Sequence, residues 1–256
     1  MKVVSVMNQK GGVGKTTLSR ILLEGLQQKK LKLLAIDTDK SRNLTSLFHF
    51  ENTGKTIVDL LQGEEALECI IHTNEGIDLI QGDSKVSLIE NSQLDPEYFR
   101  SKIEVLRQYY DIILIDTSPD LNKMNTQTMT ASDSIIIPMF ADFFSIQGLA
   151  ELLKTIEATK TYTENKSLKV DGVVINQYHK NFLLNRKLFE TLETVSKNKN
   201  FKIYKTKIRQ STTVGASQLE RTNILNTSTK VAKDFQNFVD EYFKDYQKEE
   251  KEKSKQ

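Results

Sequence analysis

Lys10-Gly11-Gly12-Val13-Gly14-Lys15-Thr16-Thr17 decides the fold of this 256-residue chain. Before it stands the apolar run Val3, Val4, Val6, Met7, with the length and composition of a buried strand. After it, Leu18, Ile21, Leu22 and Leu26 recur at helical spacing. A strand, a glycine-rich turn and a helix N-terminus together make an anion cradle: backbone N–H groups point inward, and the helix dipole adds partial positive charge. Gly11, Gly12, Val13, Gly14 and Thr17 are therefore expected to wrap phosphate. Lys15 is expected against the β and γ phosphates, and the Thr16 hydroxyl on Mg²⁺. The strict pattern G-x-x-x-x-G-K-[ST] requires glycine where Gln9 stands. The sequence instead follows K-G-G-x-G-K-[ST], which adds Lys10 ahead of the turn.

Working outward, further apolar runs at 31–37, 77–80, 110–116, 135–138, 170–175 and 201–206 read as strands. Between them, 56–61 and 64–71 read as short helices split by Gly63. Pro96 opens a helix carrying Phe99, Ile103 and Leu106, and a long helix runs from about 146 to 161. Short apolar strands alternating with helices imply an α/β fold, a mostly parallel central sheet with helices on both faces. Ligands of such sheets sit beyond the carboxyl ends of the strands. Gly11, Asp37, Asp39, Asp116 and Asn176 all follow a strand, so one crevice is expected to gather them.

Those strand ends carry chemistry. Asp116 closes four apolar residues, the setting of a Walker-B acid that holds a Mg²⁺-bound water while Thr16 ligates directly. Asp37 and Asp39 alternate on an extended segment and are expected to share a side, one supporting the metal and the other orienting the attacking water. A guanine reader needs a carboxylate in a motif such as N-K-x-D, and here that place reads Asn176-Gln177-Tyr178-His179. The Asn176 amide both donates and accepts, which suits adenine, so ATP is favoured over GTP.

Composition excludes other classes. Cys69 is the single cysteine, so neither an intramolecular disulfide nor a C-x-x-C metal site is available. No leader precedes the first strand and no apolar run approaches a membrane span, so a cytoplasmic protein is expected. The last helix carries Val231, Phe235, Phe238, Val239, Tyr242 and Tyr246 on one face, expected to pack on a single domain at 1–247; the charged stretch 248–256 is expected to fray.

K-G-G-V-G-K-T-T, the Asp37-Thr38-Asp39 strand end, Ile115-Asp116-Thr117-Ser118-Pro119 and Pro138-Met139-Phe140-Ala141-Asp142-Phe143-Phe144 together resemble the ParA family, deviant-Walker P-loop ATPases that partition plasmids and chromosomes. The resemblance implies a homodimer sandwiching two ATP molecules, with Lys10 of each subunit crossing to the other's phosphates. It implies that Lys15 and Thr16 serve ATP in cis and that Asp39 positions the hydrolytic water. Such dimers bind DNA without sequence preference, on the nucleoid, until a ParB-type partner stimulates hydrolysis. With no helix-turn-helix before the first strand, the short type is expected. Three places depart from the family pattern. Lys40-Ser41-Arg42-Asn43 replaces Pro-Gln-Gly-Asn, placing two positive charges beside the expected γ-phosphate. Phe140 and Asp142 replace the Gln and Glu of P-x-Q-x-E, and Arg209-Gln210 replaces Pro-Arg.

The formal net charge of the chain is only +2, yet residues 160–221 hold thirteen Lys/Arg against five Asp/Glu. This basic pole coincides with the part of the fold that binds DNA in ParA relatives. Lys180, Arg186, Lys187, Lys202, Lys205, Lys207, Arg209 and Arg221 are the expected phosphate contacts. Two competing classes are a MinD-like membrane-cycling ATPase, which needs a lipid-facing terminal helix, and a non-hydrolysing switch that uses ATP only to dimerise.

Overall fold

Strands form here because short β-branched runs bury on both faces, and the alternation of side chains sends each residue to one of two helical layers. The computed structural model describes residues 1–51, 54–89, 95–120, 122–179 and 185–254. Among them, one eight-stranded sheet contains β1 (Lys2–Val6), β2 (Leu33–Asp37), β3 (Ile71–His72), β4 (Asp78–Ile80), β5 (Ile112–Asp116), β6 (Ser134–Met139), β7 (Lys169–Tyr178) and β8 (Ile203–Arg209). Their spatial order is β3-β4-β2-β5-β1-β6-β7-β8, and only the β3–β4 pair is antiparallel. The helices are α1 (Lys15–Gln28), α2 (Ile57–Leu61), α3 (Val86–Ile89), α4 (Pro96–Leu106), α5 (Lys123–Ala131), α6 (Phe143–Tyr162), α7 (Asn185–Lys199), α8 (Thr212–Leu219) and α9 (Lys230–Lys253).

Val4 and Val6 of β1, Ile112 and Leu114 of β5 and Ile136 of β6 point to one face, where α1 and α9 close the core with Leu22, Leu26, Phe235, Phe238 and Tyr242. Val3, Ile113 and Ile115 point to the other, under Phe99, Ile103 and Leu106 of α4. Farther along that face, Ile135, Ile137, Val173 and Ile175 meet Leu149, Leu152 and Ile156 of α6. Asp95 caps α4 by accepting from the Glu97 amide, with Pro96 in the first turn.

Two expectations change. The segment 64–71 gives a short 3₁₀ turn at Ala66–Cys69 and then strand β3, because Ile71 and His72 pair with Leu79 and Asp78. Within the charged stretch 248–256, α9 continues to Lys253, and residues 255–256 lie outside the described residues. Glu249 is held by Lys2 at 2.8 Å and Lys169 at 2.7 Å, and Glu250 by the N-terminal amine at 2.9 Å, so the last turns are pinned to β1 and β7.

Helices α1 and α9 are in close contact at Gly25, where an added Cβ would lie 2.5 Å from Val239 Cγ1 and 2.6 Å from Cγ2. Gly25→Ala should therefore lower stability by about 1–3 kcal/mol, overpacking outweighing the gain in helix propensity of about 1 kcal/mol. Urea unfolding checks this, and a gain in stability would contradict the packing argument.

Candidate nucleotide site

The cradle forms as the sequence implies. Gly12 and Gly14 sit at φ +75° and +89°, left-handed values that L side chains rarely adopt, and Gly14 N-caps α1. The turn is braced from both sides. Asn8 donates to the Pro138 carbonyl at 2.7 Å and accepts from the Lys10 amide at 2.9 Å, tying the loop to β6. From the end of β7, Asn176 Nδ2 donates to the Val13 carbonyl at 2.8 Å and Gln177 Nε2 to the Gly12 carbonyl at 3.2 Å. With its carbonyls turned outward to these amides, the loop is free to aim its N–H groups inward.

A cavity of about 490 Å³ opens over the loop. Gly11, Gly12, Gly14, Lys15, Thr16 and Thr17 line one end together with Asp39, while Ile208, Gln210, Val214, Gly215 and Phe235 line the other. One end thus offers a lysine and backbone amides to phosphate, and the other a partly apolar slot suited to a flat ring. Gln218 of α8 donates to Thr17 Oγ1 at 2.8 Å and joins the two ends.

Behind the loop, Asp116 is fully buried and accepts from Thr16 Oγ1 and from Ser19 Oγ, each at 2.7 Å. Burial, then the neighbouring Asp37, push its carboxyl up to about 7, against the two hydroxyls and Lys15. Thr16 gives its proton to Asp116 and keeps its oxygen lone pairs for a cation in the cavity. Burial pulls the Lys15 ammonium below its ordinary range, opposed by Asp116, Asp39 and Asp120. Among the described residues, no group of three or more His, Cys, Asp or Glu is placed to hold a metal. Thr16, with Asp116 on its hydroxyl, is the side chain placed to meet a metal at the cavity.

Several expected roles are corrected. Asp37 does not share a side with Asp39. Its Oδ2 accepts from the Thr45 amide at 2.8 Å and hydroxyl at 2.7 Å, and its Oδ1 accepts from the Asp39 amide at 3.0 Å. It shapes the β2 exit rather than facing the cavity, because three donors already occupy its oxygens. Asp39 does line the cavity, with Oδ1 accepting from the Ser41 amide at 2.8 Å. Asn176 lines the cavity wall and braces the loop, its Nδ2 donating to the Val13 carbonyl and its Oδ1 accepting from the Gln177 amide, which uses one N–H and one lone pair of its amide. Lys40 turns to Asp120 at 3.1 Å and Arg42 to Gln81 at 3.3 Å, so neither lines the cavity. Lys10 lies outside it as well, on Asp142.

Helix α9 supplies carboxylates to two residues of the basic pole, Lys202 and Arg209. Lys202 pairs with Asp245 and with Glu241 at 3.0 Å, Arg209 pairs with Asp234 at 2.5 Å, and Lys207 stacks on Phe189 at 3.8 Å from its centroid. Lys202 and Arg209 are paired because the helix that closes the core brings its carboxylates to strand β8. Lys205, Lys207, Arg209 and Arg221 are exposed. Arg186 and Lys187 begin α7, with side chains outside the described residues, and Lys180 lies outside them altogether.

Asp37 is pushed up to about 6 and Glu24 to about 7, burial being the first cause in each, like Asp116. The folded chain holds protons that the unfolded chain has released, so stability falls as pH rises from about 4 through these values. Glu241 and Glu249, whose hydrogen bonds outweigh their burial, lie below their ordinary range and lose their contribution only in acid. The ligand-free chain should thus be most stable near pH 5 and melt at least about 4 °C lower at pH 7.5. A melting temperature that is flat or rising over that interval would contradict this.

A family model for the AAA domain matches residues 1–170. The chain is 32% identical to the chromosome partitioning protein ParA of Caulobacter vibrioides over 188 residues, 70% of each protein. It is 30% identical to the sporulation initiation inhibitor protein Soj of Bacillus subtilis over 216 residues, 81% of this chain and 83% of that one. Among solved structures, a Borrelia burgdorferi plasmid partition protein bound to AMPPNP superposes with a TM-score of 0.79 at 24% identity, over 95% of this chain and 99% of that one. A Mycobacterium smegmatis cobyrinic acid a,c-diamide synthase with a bound ATP analogue and magnesium gives 0.78 at 22% identity, over 94% and 93%.

Proposed function

The chain belongs to the ParA family of partition ATPases, and from that premise we propose that it is a Mg²⁺-dependent ATPase that dimerises on ATP, holds non-specific DNA as a dimer and is reset by hydrolysis. A ParB-type partner would stimulate that hydrolysis. The observation that carries this reading is the second lysine. Lys15 alone faces the cavity, whereas Lys10 of the same motif stands outside it. A lysine that its own cradle does not use is the feature that a second subunit would employ.

Within one subunit, the inward loop amides and Lys15 hold the phosphate oxygens. Thr16 would hold Mg²⁺, with Asp116 fixing the hydroxyl from behind. Bound Mg²⁺ supplies charge neutralisation on the phosphates. Asp39, with one oxygen anchored by Ser41, has the other available to orient water. Residues that move no phosphate have supporting roles: Asp37 sets the direction of Asp39, and Asn176 and Gln177 keep the loop carbonyls turned away. The positive charges of Lys40 and Arg42 are directed to Asp120 and Gln81, which weighs against the non-hydrolysing switch. The membrane-cycling alternative loses its residues too, since Phe235, Phe238, Val239, Tyr242 and Tyr246 are buried against the sheet.

An electrophoretic shift with apo, ADP-bound and ATP-bound protein over a salt series tests the reading. Binding should require ATP and weaken steeply with salt. Binding that ignores nucleotide, or none with ATP, would sink it. Lys10→Ala should keep ATP affinity within about threefold while weakening the ATP dimer at least about tenfold, as loss of a charged contact at a subunit interface does. Calorimetry with light scattering reads both quantities.

A further inference from the structure

The β6–α6 turn is built around the ammonium of Lys10. Lys10 Nζ lies 2.8 Å from Asp142 Oδ2, 3.4 Å from Ser145 Oγ and 5.0 Å from the centroid of the Phe140 ring. Asp142 also caps α6, its Oδ1 accepting from the Ser145 amide at 2.7 Å. One carboxylate oxygen is thus fixed by the helix and the other is presented to Lys10. Burial raises the Asp142 carboxyl, but the bonds from Lys10 and Ser145 outweigh it and hold the group below its ordinary range. Phe140 offers its negative face to the same cation.

We propose that this turn is a rest site that holds Lys10 within its own subunit, in competition with the phosphates of a second copy of the chain. The proposal rests on the dimer reading above and adds a control to it. Assembly must break one Lys10–Asp142 pair in each subunit, so the rest site sets a threshold that nucleotide binding has to exceed. Both side chains are about a third exposed (36% and 37%), so each pair is weak. Two pairs open per dimer, and their effects multiply.

Asp142→Asn removes the charge and keeps the cap, because asparagine caps helices as well as aspartate. With AMPPNP, sedimentation equilibrium should show the Asp142→Asn dimer about three- to tenfold tighter than the parent. Phe140→Leu, which removes the ring and leaves the carboxylate, should act in the same direction but less. In a Lys10→Ala background, Asp142→Asn should give no gain. If the parent dimerises and Asp142→Asn is equal or weaker, or if the gain survives without Lys10, the rest site is overturned while the dimer stands. If neither chain dimerises with AMPPNP, the rest site and the dimer reading fall together.

Discussion

Lys15→Ala is expected to lower ATP affinity at least about a hundredfold while leaving the ligand-free chain no less stable than its parent. The first half follows from charge-assisted hydrogen bonds, each about 1.5–3 kcal/mol, which Lys15 is placed to make with phosphate oxygens; two such bonds exceed the 2.7 kcal/mol or so that a hundredfold requires. The second half follows from burial. Lys15 is only 7% exposed, and desolvation outweighs the pull of Asp116, Asp39 and Asp120 on its ammonium. The empty cradle therefore keeps a charge that its surroundings disfavour, and the ligand relieves it. Without Lys15, the Asp116 carboxyl rises further and takes a proton, becoming a neutral group still bonded to Thr16 and Ser19. Calorimetry and thermal melts read the two effects. ATP affinity within about tenfold of the parent, or a melt lowered by more than about 5 °C, would contradict the account.

What was legible in the sequence was whatever depends on local pattern. The cradle, the strand that ends in Asp116 and the helix with Pro96 in its first turn are all fixed by residues within a few positions of one another. The side to which a strand-end polar residue turns was not legible. Asp37 and Asp39 have the alternation of neighbours on one face, yet the backbone leaves β2 between them and Thr45, eight residues on, captures Asp37. Asn176 looked like a base reader because its amide both donates and accepts, and the loop carbonyl that claims it lies more than 160 residues away in sequence. Asn8, Ser19, Thr45 and Gln218 carry no motif at all; each matters only through the backbone or hydroxyl that folding brings to it.

The basic pole shows the same limit for charge. A count over 160–221 sums residues that share a stretch, but the carboxylates that meet Lys202 and Arg209, namely Asp234, Glu241 and Asp245, belong to α9 and lie beyond it. Periodicity did signal that α9 buries its aromatic face. It did not show where the flanking acids would lie; they run along β8, the edge strand there. Glu241 even accepts from the Lys205 and Thr206 amides, covering backbone that an edge strand would otherwise expose.

Gly14→Ala is expected to damage both stability and binding, through two separable causes. Gly14 holds φ +89° and ψ 32°, and an alanine forced into left-handed geometry costs about 1–2 kcal/mol. Its Cβ would also lie 2.3 Å from Asn176 Nδ2, too close for any real contact. Asn176 can retreat only by releasing the Val13 carbonyl, and leaving that buried acceptor unpaired costs about 1–3 kcal/mol. The sum, about 2–5 kcal/mol, should lower the melting temperature by about 5–15 °C. ATP affinity should fall at least about a hundredfold, since the amides no longer converge. Gly11→Ala is the control: an added Cβ there meets nothing within 4 Å and the backbone is not left-handed, so its melt should stay within about 2 °C of the parent. Equal melts for the two variants would refute the strain argument. In an Asn176→Ala background the clash is gone and the Val13 carbonyl is already unpaired, so adding Gly14→Ala there should cost only the dihedral strain, about 1–2 kcal/mol and less than it costs the parent. If Gly14→Ala costs as much in that background as in the parent, the brace from β7 carries no weight in holding the loop.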